Sequence, residues 1–123
     1  QALEHLEEAY RVEAVEPTST ERMHQLLELM LRAIGDADPD RYAAVLQELE
    51  TRISCDVEVS KRTRMAAAWL RARIDTSERG GAALATAYQL ATEIIGLQGD
   101  SPLGANLRLR YPYCEILEAA ERG

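Results

Sequence analysis

The apolar residues of this chain fall at the spacing of an α-helix, and those of two consecutive helical stretches recur 42 residues further on. Met23, Leu26, Leu27 and Met30 become Met65, Ala68, Trp69 and Ala72. Tyr42, Val45, Leu46, Leu49 and Ile53 become Leu84, Ala87, Tyr88, Ala91 and Ile95. Residues three and four apart share a helix face, so each set is one stripe facing a neighbour. Any two amphipathic helices can be slid into phase. Two successive helices sharing one offset, turn included, are harder to obtain that way. The pattern predicts a helix pair that repeats, with each pair burying the apolar face of the next.

Punctuation along the chain supports the same reading. The first helix is expected over roughly 2–15, with Leu3, Leu6 and Tyr10 on one face. Thr18 and Glu21 have capping-box spacing and should start a second helix over about 19–34, which Gly35 ends. Asp38 should cap a third helix reaching about Ser54, with Pro39 at its first position, where a missing N–H is harmless. A fourth is expected over about 58–76. Gly80-Gly81 should break the chain before a fifth, about 82–97. Ser101-Pro102 should cap a sixth, which Pro112 should kink or split at Tyr111 because proline lacks the N–H and crowds the residue before it. The expected fold is all-α, about six helices in antiparallel pairs stacked as a right-handed solenoid of the tetratricopeptide type.

The fourth helix is apolar on two sides, with Met65, Ala68, Trp69 and Ala72 on one and Ala66, Leu70 and Ile74 on the other. A helix of that kind has neighbours on both sides. Trp69 carries the largest apolar area and is the expected core anchor.

Residues 20–49 (TERMHQLLELMLRAIGDADPDRYAAVLQEL) and 81–115 (GAALATAYQLATEIIGLQGDSPLGANLRLRYPYCE) resemble the long tetratricopeptide-like repeats of large bacterial transcription regulators, the maltose-activator and LuxR types, and of related signalling ATPases. Those repeats run near 40 residues as an Ala/Leu-rich helix, Gly-Asp, and a second Arg- and Leu-rich helix. The resemblance implies one repeat domain over 1–123, cut from a larger cytoplasmic regulator. Its role would be that of a scaffold that docks a protein or senses an effector. DNA binding and nucleotide hydrolysis would lie in other domains. The start at Gln1 inside a helix fits an excised piece.

Composition narrows the chemistry. The net charge is −7 and is unevenly spread: residues 1–50 hold 4 Arg against 12 Asp and Glu, and residues 51–123 hold 10 Lys and Arg against 9. An acidic chain of this kind is not expected to bind nucleic acid directly. No stretch has the roughly 20 apolar residues that span a bilayer. Cys55 and Cys114 are too few for a disulfide framework and read as reduced thiols.

No catalytic constellation stands out. Asp36, Asp38 and Asp40 alternate as in a calcium loop, but Arg41 stands where that loop needs Gly and Gln47 where it needs Glu. Glu21 and His24 have di-iron spacing without the second pair and added glutamates that such a site requires, so His24 reads as an exposed helix residue. No metal, cofactor or enzymatic activity is expected. On the repeat register the first helices stack Arg22, Arg64 and Asn106, and beside them Arg71 and Tyr113. Such a groove would suit an acidic peptide or a small anionic effector. A homodimer is compatible with a chain of this kind. Two other architectures fit the composition, a compact effector-binding helical domain and a small helical enzyme that works through arginines.

Overall fold

A computed structural model describes residues 2–15, 19–56 and 59–122, and every regular element among them is helical. The chain falls into two compact units, Gln1–Val59 and Ser60–Gly123.

The first unit holds α1 (Ala2–Val15), α2 (Thr20–Ile34) and α3 (Pro39–Ser54). Helix α2 packs against both α1 and α3. Its N-terminus is capped by Ser19, whose hydroxyl accepts from the Arg22 N–H at 3.0 Å. The cap is therefore Ser19 and not Thr18, which lies outside the described residues. Gly35 ends α2 at φ +55°, a region L side chains rarely adopt, and its N–H returns to the Leu31 carbonyl at 3.0 Å. Asp38 caps α3 through the Arg41 N–H at 3.2 Å, with Pro39 opening the helix as expected.

Met23, Leu26, Leu27 and Met30 are all buried on α2, and Tyr42, Leu46 and Leu49 on α3. Burying each large side chain is worth about 1.5–3 kcal/mol before the entropy of ordering it is subtracted. Polar ties reinforce the arrangement. Arg41 pairs with Glu7, the Arg22 Nε lies 3.2 Å from the buried Glu13 carboxylate, and the Arg52 Nε donates to the Tyr10 hydroxyl at 2.8 Å.

The second unit holds α4 (Lys61–Ile74), α5 (Glu78–Gly96), α6 (Pro102–Arg108) and α7 (Tyr113–Arg122). Here α5 is the central helix and packs against α4, α6 and α7. Its core is Met65 and Trp69 from α4, Ala87, Ala91 and Ile95 from α5, and Tyr113 and Ile116 from α7. Ala87 and Ala91 keep the α5 surface flat where the larger side chains of its neighbours lean on it, so Trp69 is the core anchor its size suggests.

Three boundaries differ from expectation, that of α4 among them: it starts at Lys61 behind the Ser60 cap and not near 58. Helix α5 starts at Glu78, four residues before its expected start at 82, because Ser77 caps it through the Arg79 N–H at 3.2 Å. Gly80 then sits in the first turn rather than in a hinge. A Cβ there would lie 1.6 Å from the Asp75 carbonyl oxygen, so the α4–α5 turn closes only over a glycine. The expected sixth helix is two helices, α6 and α7, separated at 109–112. Pro112 supplies the split, since it cannot donate to a continuing helix. Seven helices are thus described in place of six.

Candidate functional site

The five residues expected to line one groove occupy different settings. Arg22, in the first unit, is exposed on the first turn of α2 and pairs with Glu13. In the second unit, Arg64 is exposed on α4 and Arg71 is half-buried, with its guanidinium 3.9 Å from the Asp75 carboxylate. Asn106 is exposed on α6 and accepts from the Arg110 Nε at 2.7 Å. Tyr113 does not line an open surface. It is 5% exposed in the core with Met65, Trp69 and Ile116, and burial raises its hydroxyl pKa above the ordinary tyrosine value. The cause is the interruption at 109–112: the 42-residue offset runs through a helix break, so the register that placed Tyr113 beside Arg71 does not extend past α6.

What remains is a basic helix. α4 carries Lys61, Arg62, Arg64, Arg71 and Arg73 and no carboxylate of its own. At 100° per residue, Arg64 and Arg71 share one edge of the helix, and Arg62 and Arg73 share the opposite edge. Between the edges run the buried Met65–Trp69 stripe on one side and Ala66, Ala67 and Leu70 on the other. Lys61 reaches the Glu93 carboxylate of α5 at 3.0 Å. Asp75, which follows α4, is held below the usual carboxylate range chiefly by hydrogen bonds from the Ser77 hydroxyl and N–H, with a smaller contribution from Arg71. It stays anionic beside the C-terminal arginines.

Two concave regions were not foreseen. In the first unit a cleft of about 650 Å³ opens where the first turn of α2 meets the last turns of α3, at the end of the hairpin away from Gly35. His24 forms part of its wall and is 3% exposed, not exposed as the sequence reading had it, and its Nδ1 has no hydrogen-bond partner. The signal was there: His24, Glu28 and Leu31 fall at i, i+4 and i+7, a second stripe of α2 beside the obvious apolar one, and all three are buried. In the second unit an apolar groove runs between α5 and α7 over Leu84, Ala85, Tyr88 and Ala120. Tyr88 is 41% exposed there, whereas Leu46, 42 residues earlier, is fully buried.

Among the described residues, no group of three His, Cys, Asp or Glu side chains is placed to hold a metal ion, and no helix is long and apolar enough to cross a membrane. Comparison with protein-family models, with curated proteins and with solved structures finds no match.

Proposed function

We propose that this chain is a non-catalytic interaction scaffold, a stretch of tetratricopeptide-like helix pairs from a bacterial cytoplasmic transcription or signalling regulator, and that it docks an acidic segment of a protein partner along α4. The helix bounds support the repeat: shifting α2 and α3 by 42 gives 62–76 and 81–96, against Lys61–Ile74 and Glu78–Gly96 for α4 and α5. The observation that carries the partner chemistry is the charge of α4, five cations and no anion on a helix whose apolar stripes are buried. Arg62, Arg64 and Arg73 are exposed on the edges that flank the buried stripes, and guanidinium pairs with carboxylate in two-point geometry.

An array of acidic peptides tests this reading. The wild-type chain should retain a subset, the Arg64→Glu/Arg71→Glu variant should lose them by about tenfold or more, and Arg62→Glu/Arg73→Glu on the opposite edge should lose fewer. Retention that ignores both charge reversals, or no retention of acidic peptides at all, contradicts the reading.

A further inference from the structure

We propose that the apolar groove between α5 and α7 is a self-association surface, through which two copies of this chain pair about a two-fold axis. It is distinct from the α4 edges. The groove's shape, the charge it lacks and the charges at its two ends all favour this pairing.

The groove has a volume of about 570 Å³ over Gly81, Leu84, Ala85 and Tyr88, and Ala120 and Glu121 of α7 border it. At 100° per residue Gly81, Ala85, Tyr88 and Thr92 share one edge of α5. The hollow that Thr92 lines with α6 therefore lies further along the same edge. From Gly81 to Gly96 the edge is about 22 Å long.

Its middle is uncharged. Gly80–Thr92 holds no Asp, Glu, Lys or Arg, whereas the stretch 42 residues earlier holds Asp38, Asp40, Arg41, Glu48 and Glu50. Yet Ala85, Tyr88 and Thr92 are exposed. A helix face left to water normally carries charge, and an uncharged one centred on a tyrosine has the makeup of an interface core.

The charges stand at the ends and differ in sign. Glu121 borders the Gly81 end, and Glu78 lies almost one turn earlier on the same edge. Arg122, next to Glu121, is engaged by Glu118. At the Thr92 end the cation is Arg108 of α6, with Asp100 beside it. A neutral groove with an anion at one end and a cation at the other complements itself. With two α5 helices antiparallel about an axis near Tyr88, Glu121 of each copy meets Arg108 of the other, one contact made twice. The face is only about two helices wide, near the low end of specific interfaces, which bury roughly 1,200 Å² in total. The dimer should accordingly be reversible, with a micromolar Kd.

Sedimentation equilibrium of the full chain between about 1 μM and about 1 mM should show a monomer–dimer equilibrium. Tyr88→Glu sets like charges face to face at the axis and should raise Kd by about tenfold or more, while the dilute monomer stays helical by circular dichroism. Arg108→Glu and Glu121→Arg should each raise Kd about threefold or more. Combined, they should return it to within about twofold of the wild type, since the swap restores opposite signs at both ends. Asp100→Asn removes a like charge from the approach of Glu121 and should lower Kd, and Arg64→Glu on α4 should leave it unchanged. A chain that stays monomeric throughout overturns the proposal and leaves the groove to a helix of another protein. So does a dimer that survives Tyr88→Glu, that Arg64→Glu or Asp100→Asn weakens, or that the double swap fails to recover.

Discussion

The Arg52 guanidinium donates through Nε to the Tyr10 hydroxyl at 2.8 Å and so ties α3 to α1, the two helices that flank α2. Tyr10 and Arg52 are themselves 42 residues apart. Removing the hydroxyl with Tyr10→Phe leaves the ring in place and deletes one hydrogen bond to a charged donor. Chemical denaturation should show a loss of about 1–2 kcal/mol, and Arg52→Ala should cost no less because packing is lost with the charge. No change in either variant would mean the tie contributes nothing.

Alkaline pH should destabilise the protein in a defined window. Burial raises the pKa of both Tyr10 and Tyr113 above the ordinary value near 10, and Arg52 partly opposes this at Tyr10. A raised folded-state pKa favours the protonated form, so the stability it confers is complete below the unfolded value and is lost as pH rises through the folded one. Melting temperature should therefore hold up to about pH 9 and fall above about pH 10. Tyr113→Phe should flatten that fall. An unchanged slope would remove Tyr113 from the account.

Gly80 and Gly81 should respond in opposite directions to alanine. At Gly80 a methyl group meets the Asp75 backbone, and the turn must distort at a cost of about 2 kcal/mol or more. At Gly81 a Cβ meets nothing within 4 Å, so alanine should stabilise the helix by about 0.5–1 kcal/mol. Urea midpoints of the two variants decide this, and equal shifts would contradict the α4–α5 turn described above.

Much of this architecture was legible because helix ends are written in local chemistry. Asp38-Pro39, Gly35 and Ser101-Pro102 each act within a few residues of the backbone they cap or end, and Pro112 splits its helix for the same local reason. Gly80 was misread because a glycine pair looks the same whether it breaks a helix or admits a close backbone approach. Only the position of the Asp75 carbonyl separates the two. His24 was misread because a histidine beside a stripe of Leu and Met weighs toward solvent when its neighbours are unknown. Tyr113 was misplaced because periodicity cannot be carried through a break whose geometry the pattern does not contain.

Trp69 offers a test of core packing in the second unit. Trp69→Ala should cost about 3–5 kcal/mol through lost area and the cavity left behind. Its indole Nε1 is buried without a hydrogen-bond partner, so Trp69→Phe removes an unsatisfied donor along with some area. The phenylalanine variant should therefore lose less than half as much stability as the alanine variant in the same denaturation experiment. Comparable losses would mean that the indole nitrogen is satisfied in solution.

If the 42-residue offset is a structural repeat, the chain should tolerate the loss of one whole period. Removing residues 43–84 joins the start of α3 to the matching turn of α5 and should preserve every apolar stripe. Removing two residues fewer rotates the joined helix by about 200° and turns its apolar face outward. Circular dichroism with thermal unfolding should show the first deletion helical and cooperative, and the second with a broad, non-cooperative transition. If both deletions lose cooperative unfolding alike, or both keep it, the 42-residue offset is not a structural repeat.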